Sequence, residues 1–266
     1  MAGAYAARFT IGGVCLLAAR AFARRWLSIS ILCLVAGTAV SALGLLALLW
    51  PTPVTTNLIV APWPVLEIAR GVVPSIIAGP VIAVALLALA KPSQRSRPAY
   101  ALILRRLPAT TIVAILALLL VSEPGRFAVA TLDASDPAIQ FGVIAILFFY
   151  QAAVFALGHL MVAVMVTESS HPWLALMRAT RLFRGHWLQV SLITLGLWAL
   201  AYVMDQVGTS IALSIVLESF WGTAAVASTL AGIRIAAVLV VFAAVYYLLR
   251  IERDGPLPQD AAEVFD

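Results

Sequence analysis

Apolar residues in this chain occur in long runs, and short polar segments separate them. About 20 apolar residues cross the hydrocarbon core of a bilayer as a helix, so such runs indicate membrane spans. The runs predict six spans, at residues 27–50, 65–90, 109–122, 138–166, 187–207 and 231–251. The third run is short and Pro108 precedes it, so a five-span alternative, with that segment re-entering the membrane, stays open.

Composition agrees with this pattern. Hydrophobic residues make up 63% of the chain, charged residues only 11%, and the mean hydropathy is +1.05, whereas soluble domains carry about 25% charged residues. No polar stretch is long enough to form a soluble catalytic domain. We therefore expect an all-α, multi-pass membrane protein, with a membrane domain over residues 1–255 and a short acidic cytoplasmic tail at 256–266.

Basic residues are distributed unevenly between the two sides that six spans define. Arginine and lysine concentrate in cytoplasmic loops, and 14 of the 17 basic residues fall on one side. They are Arg8, Arg20, Arg24, Arg25, Lys91, Arg95, Arg97, Arg105, Arg106, Arg178, Arg181, Arg184, Arg250 and Arg253. Only Arg70, Arg126 and Arg234 remain for the other side. This asymmetry predicts that both termini are cytoplasmic.

One basic, aromatic pattern occurs twice, each time where a predicted span begins. The pattern R-x-F-x3-W-L-x2-S starts at Arg20 and again at Arg181. An arginine-rich helix that ends in tryptophan at the edge of an apolar run is typical of a helix on the cytoplasmic membrane surface. The predicted contacts with lipid head groups or the interface are Arg20, Arg24, Arg25 and Trp26 in the first copy, and Arg178, Arg181, Arg184 and Trp187 in the second.

The second copy also shows where its helix begins and ends. A helix-start cluster lies at 169–172, and Gly185 allows a bend into the fifth span. Helical spacing then gives an apolar stripe of Trp173, Leu176, Thr180, Phe183 and Trp187. A looser third version of the segment at 98–106 precedes the third span, which suggests three repeated units, each an interfacial helix followed by two spans.

Two stretches carry a resemblance to a known family. The segment from Glu168 through A-L-M-R-A-T-R-L-F-R-G at 175–185 to Trp187, and Y-Y-L-L-R-I-E-R-D-G at 246–255, resemble motifs of the bacterial integral membrane family named for the membrane domain of glycerophosphoryl diester phosphodiesterase. Leu248 stands where that family has aspartate, and Glu252 where it often has arginine. The phosphodiesterase chemistry of the named enzymes belongs to a separate soluble barrel, so the resemblance implies a membrane domain without that activity.

Candidate chemistry inside the membrane is limited to one polar pair. Gln151 and His159 lie on roughly one side of the fourth predicted span. Polar side chains at such depth either line a cavity or hydrogen-bond a neighbouring span, and both interpretations stay open. The sequence shows no zinc-protease, acyltransferase or nucleotide-binding motif, and Cys15 and Cys33 are interpreted as small apolar residues. We predict no catalytic residue, metal site or cofactor.

Charged residues on the opposite side cluster near span ends. They are Glu67, Arg70, Glu123, Arg126, Asp133, Asp136, Asp205, Glu218 and Arg234. Two interpretations apply: a charged mouth that receives a ligand, or ordinary ion pairing at the interface. Residues 208–232 are interpreted as an interfacial or re-entrant helix, and they are the place where we expect irregular backbone.

These features favour a non-catalytic scaffold or accessory component of a bacterial inner (plasma) membrane. The expected partners are membrane lipids and another membrane protein. Nucleic acid is not expected, because arginines facing anionic lipid already account for the basic balance. The alternative is a small transporter or permease-like subunit for a lipid or peptide, and the poorest choice is an enzyme acting at the bilayer surface.

Overall fold

The computed structural model describes residues 9–49, 63–90, 106–113, 115–116, 137–168, 171–216 and 220–255, which contain helices and no strand. Six of these helices are named here: α1 (Ile11–Leu49), α2 (Trp63–Ala90), α3 (Pro137–Thr167), α4 (Pro172–Arg184), α5 (Trp187–Val216) and α6 (Phe220–Asp254). Residues 106–113 and 115–116 are also helical. The predicted all-helical class is thus confirmed.

Five helices are long and apolar enough to cross a membrane, namely α1, α2, α3, α5 and α6. They match the first, second, fourth, fifth and sixth predicted spans. The third predicted span, at 109–122, lies mostly outside the described residues, as does the tail at 256–266. At 208–232 the expectation of a helix is confirmed for the described residues, because α5 continues to Val216 and α6 begins at Phe220. The expectation of irregular backbone was wrong for these residues.

Helices α2 and α6 form the centre of the described bundle. Every residue from Ala78 to Leu89 of α2 is buried, and so are nine of the eleven from Leu239 to Leu249 of α6. By contrast, α1, α3 and α5 expose many large apolar side chains. In a membrane protein such side chains face lipid rather than water, since hydrocarbon is as apolar as leucine.

Backbone-to-backbone contact joins α1 to α6. A Cβ atom added to Gly37 would lie 2.3 Å from the carbonyl oxygen of Ser228 and 2.6 Å from the nitrogen of Gly232. On the other helix, a Cβ atom at Gly232 would lie 3.0 Å from the carbonyl oxygen of Cys33. Small residues four apart on both helices therefore permit the close crossing that is typical of packed membrane helices.

Two arginines bind the carbonyl ends of other helices. Arg24 of α1 donates to the carbonyl oxygen of Ala88 near the end of α2, at 3.0 Å. Arg106 donates to the carbonyl oxygens of Met165 and Val166 near the end of α3, at 2.7 and 2.9 Å. The last carbonyls of a helix lack intrahelical partners and carry partial negative charge. Each arginine thus holds its own helix beside the end of another, at what we call the basic end of the bundle.

Candidate functional site

The short helix α4 lies between α3 and α5 at the basic end. Pro172 occupies its first turn, where a missing N–H costs nothing, and His171 before it is extended. The chain turns at Gly185 and His186 before α5 begins at Trp187. The start and end predicted for this helix are confirmed. Its 13 residues span only about 20 Å, too few to cross a bilayer.

Glu168, directly after α3, is the centre of a polar network. Its Oε2 accepts a hydrogen bond from Nε of Arg178 on α4 at 2.9 Å. Its Oε1 accepts one from the Tyr246 hydroxyl of α6 at 2.6 Å and lies 3.4 Å from Nε of Arg250. The hydroxyl oxygen of Tyr246 lies 2.6 Å from that of Thr167. One carboxylate therefore ties together the end of α3, helix α4 and the last turns of α6.

A second carboxylate completes this network. Arg178 also pairs with Asp254 at the end of α6. Partial burial lowers the pKa of the Arg178 guanidinium, but its bonds to Asp254 and Glu168 outweigh burial and raise the pKa overall, so the group stays charged. Arg253 donates to the carbonyl oxygen of Arg181 on α4. Helix α4 is thereby attached to α6 at two successive residues.

A smaller group of contacts joins Phe9, which precedes α1, to the turn before α5. Glu252 Oε2 accepts a hydrogen bond from the backbone N–H of Phe9 at 2.9 Å and lies 3.5 Å from Nε2 of His186. The rings of Phe9 and His186 are 4.9 Å apart, and His186 Nδ1 lies 3.0 Å from Oε1 of Gln189. The segment before α1 and the start of α5 therefore meet at the end of α6.

Charge balance determines what the Glu168 network can do chemically. It contains two carboxylates, Glu168 and Asp254, and two guanidinium groups, Arg178 and Arg250, so its formal charge is zero. Each charged group already has a partner of opposite charge. Such an arrangement stabilises the packing of the helices that it joins. It presents neither an activated nucleophile nor an unbalanced charge to a ligand.

The two copies of the R-x-F-x3-W-L-x2-S pattern bury matching positions. Counting back from each arginine, Val14 and Ala18 correspond to Ala175 and Ala179, and one residue after it Ala21 corresponds to Leu182. All six are buried. Further along, Ile29 and Val190 also correspond, and both are fully buried. Both helices therefore turn the same face toward the core.

The predicted arginines divide into two groups in the structure. Arg24 and Arg178 are bound to other helices as described above, and Arg25 also has an interaction within the protein. Arg20, Arg181 and Arg184 have exposed side chains. Within the described part of the chain, no side-chain ion pair or hydrogen bond involves them. The sequence pattern alone treats all six alike.

Both predicted interface tryptophans are exposed, Trp26 at 58% and Trp187 at 50% of the residue's reference area. The apolar stripe of α4 is also not its buried face. Trp173 is exposed and Leu176 and Phe183 are half-buried, whereas Ala175, Ala179 and Leu182 pack against the core. The stripe thus faces the surroundings of the protein, and a separate row of small residues makes the contact with the bundle.

The polar pair in α3 forms no shared site among the contacts that the structure describes. His159 Nδ1 lies 2.9 Å from the carbonyl oxygen of Phe155 in its own helix. Its ring stacks on Phe242 of α6 at 4.8 Å and lies 4.2 Å from the ring of Phe155. Gln151 is half-buried two turns earlier. Among the described residues, His159 is therefore packed as an aromatic side chain whose hydrogen bond stays within its own helix.

The predicted charged mouth lies almost wholly outside the described side chains. Arg234, on α6, is half-buried and has a partner within the protein. The side chains of the other eight predicted residues are outside the described part of the chain. Both interpretations of this cluster therefore stay predictions.

Comparison with known proteins gives no assignment: no family model, curated protein or solved structure matches the chain. The resemblance noted in the sequence thus remains a prediction. The two stretches that carry it nevertheless meet in space, since Glu168 and Arg178 of the first contact Tyr246, Arg250 and Asp254 of the second. No sequence pattern predicted this network; the only signal was that both stretches are polar and both adjoin predicted span ends.

Proposed function

We propose that this protein is a non-catalytic scaffold or accessory component of a membrane complex or of a lipid-related process. The observation that supports it best is the neutral Glu168 network. In this network the polar groups of the two most distinctive sequence stretches are used to fasten α4 to α3 and α6. A surface helix held this firmly at the basic end suits a role in positioning lipids or a neighbouring protein.

The proposed arrangement in the membrane has six spans, both termini in the cytoplasm, and three repeated units. Five apolar helices and the gathering of arginines at one end support it. Corresponding positions are buried in α1 and in the pair α4 and α5, which supports the first and third units. Reporter fusions after Ser122 and Ser170 test the topology: Ser122 outside the cytoplasm with Ser170 inside it agrees with six spans, whereas a cytoplasmic Ser122 contradicts them.

The proposed family is the bacterial membrane family named above, and the proposed location is a bacterial inner membrane. The contact between the two resembling stretches supports this placement, because residues that form one network are expected to occur together. In this proposal Leu248, which replaces an aspartate of the family, is one of the buried core residues. A family role of that aspartate would thus not apply to this chain.

Reconstitution separates the scaffold from the transporter alternative. The full-length protein is purified in mild detergent, and uptake of labelled phospholipid and peptide is measured in liposomes for the parent, His159→Ala and the matched control Gly196→Ala. The scaffold proposal predicts no uptake above empty liposomes. Uptake by the parent that His159→Ala abolishes and Gly196→Ala retains would replace this proposal with the transporter.

A further inference from the structure

Helix α4 carries a row of exposed residues directly opposite its buried face. Ala175, Ala179 and Leu182 face the core, whereas Trp173, Met177, Arg181 and Arg184 recur at spacings of three and four on the opposite side and are all exposed. Residues at these spacings lie on one face of a helix. The row is apolar in its first half and basic in its second.

The basic half of this row differs electrostatically from Arg178, the other arginine of α4. Arg178 on the same helix is neutralised by Glu168 and Asp254. For Arg181 and Arg184, no carboxylate lies within ion-pair distance among the described residues. The local positive charge at the end of α4 is therefore unbalanced within the described protein, so it attracts an anion.

Apolar residues beside this charge indicate which kind of anion. Trp187 begins α5 one turn after Arg184 and is half exposed, and Trp173 and Met177 continue the row on the other side. A soluble anion would gain nothing from exposed indole and thioether groups. A phospholipid offers a phosphate to the guanidinium groups and a glycerol–acyl boundary to the tryptophans, which concentrate at that depth.

We propose that the exposed row of α4, with Arg181 and Arg184 as its charged residues, binds the head group of anionic phospholipids at the membrane surface. This inference rests on the proposed placement of α4 at the membrane surface, and it names the lipid class that the scaffold holds. Arg178 acts as a positioning residue, because it fixes α4 to the bundle and leaves the other two arginines available.

The test measures phospholipid binding to the full-length protein in mild detergent by native mass spectrometry, with phosphatidylglycerol and phosphatidylcholine of equal chain length in competition. Arginines near a membrane surface each favour anionic lipid roughly fivefold. We therefore expect the parent to prefer phosphatidylglycerol, and Arg181→Gln with Arg184→Gln to lower that preference by roughly tenfold or more. The preference is expected to weaken at high ionic strength.

Two controls keep the result specific. Arg181→Lys with Arg184→Lys keeps the charge and is expected to keep most of the preference. Arg70→Gln with Arg126→Gln removes equal charge from the predicted opposite side and is expected to leave it unchanged. Equal preference in the glutamine variant and the parent would overturn the inference, as would equal loss in the Arg70 and Arg126 control. Binding only to an acidic protein partner, without lipid preference, would overturn it too. Liposome uptake tests the scaffold proposal independently, so the two failures are distinguishable.

Discussion

The two copies of the R-x-F-x3-W-L-x2-S pattern fold alike where each begins and differently further along. Both bury the same small or apolar positions, and both depart from a continuous regular helix at the same place. In the first copy that place is Arg25, with φ −130° and ψ 24°; in the second it is the turn at Gly185 and His186. The first copy continues as one kinked helix, whereas the second breaks into α4 and α5.

The residues that differ between the copies explain the divergence. Where the first copy has Arg24, whose side chain binds the end of α2, the second has Gly185, which has no side chain to make such a contact. Later, Gly37 lets α1 touch the backbone of α6, but the corresponding position of α5 is Trp198, which packs edge-on against Phe155. A shared pattern therefore sets which face is buried, and single residues set how closely each span approaches its partner.

The largest expected effect comes from disrupting the close contact between α1 and α6 at Gly37, which only the first copy of the pattern has. Gly37→Ala places a methyl group 2.3 Å from a backbone oxygen, so α1 and α6 must separate. We expect a loss of about 3 kcal/mol in the free energy of unfolding, measured by denaturant titration in detergent micelles. Gly196→Ala is the matched control, since its methyl group meets nothing within 4 Å. Equal losses in the two variants would contradict the close crossing.

The next largest loss of stability is expected from disrupting the Glu168 network, which only the second copy has. Glu168→Gln deletes the charge that pairs with Arg178 and Arg250, and it leaves Arg250 without a described carboxylate partner. We expect a loss of about 2 kcal/mol in the same titration. Glu263→Gln, in the acidic tail, removes the same charge and is expected to change stability by less than about 0.5 kcal/mol. A neutral result for Glu168→Gln would show that the network does not fasten α4.

Matched substitutions sharpen the similarity of the two copies. Ala18→Leu and Ala179→Leu enlarge corresponding buried positions, and each is expected to cost about 1–2 kcal/mol by overpacking. Ala19→Leu and Thr180→Leu change the exposed neighbours and are expected to be nearly neutral. If only one copy showed the contrast between buried and exposed positions, the copies would not share a register.

The smallest effect is expected at the hydrogen bond between Arg24 and the end of α2, which distinguishes the first copy. Arg24→Gln removes a charged donor from the carbonyl of Ala88, and losing such a helix-end contact costs about 1 kcal/mol. Arg20→Gln, without a described partner, is the control and is expected to be neutral. A larger loss for Arg20→Gln than for Arg24→Gln would reverse the assignment of the two arginines.

Much of the fold was predictable because long apolar runs and the placement of arginine are strong local signals. The starts of α4 and α5 followed from Pro172, Gly185 and Trp187 for the same reason. The Glu168 network was not predictable, since the sequence separation between Glu168 and Tyr246 hides a contact that depends on how α3 and α6 pack. The sequence also could not separate Arg178 from Arg181, because side chains of one type differ only through their tertiary partners.

The central claim is that two units are equivalent and begin at one membrane surface: α1 is the first, and α4 together with α5 is the second. The depth of each unit in a bilayer tests this claim most directly. Nitroxide labels are attached at Ala19→Cys and, separately, Thr180→Cys, in a background with Cys15→Ala and Cys33→Ala, and their accessibility to oxygen and to a water-soluble relaxation agent is measured in liposomes. Equivalent units place both labels at the same interface, within about one helical turn, 5.4 Å, in depth. Labels at opposite surfaces, or one label deep in the hydrocarbon, would contradict the account.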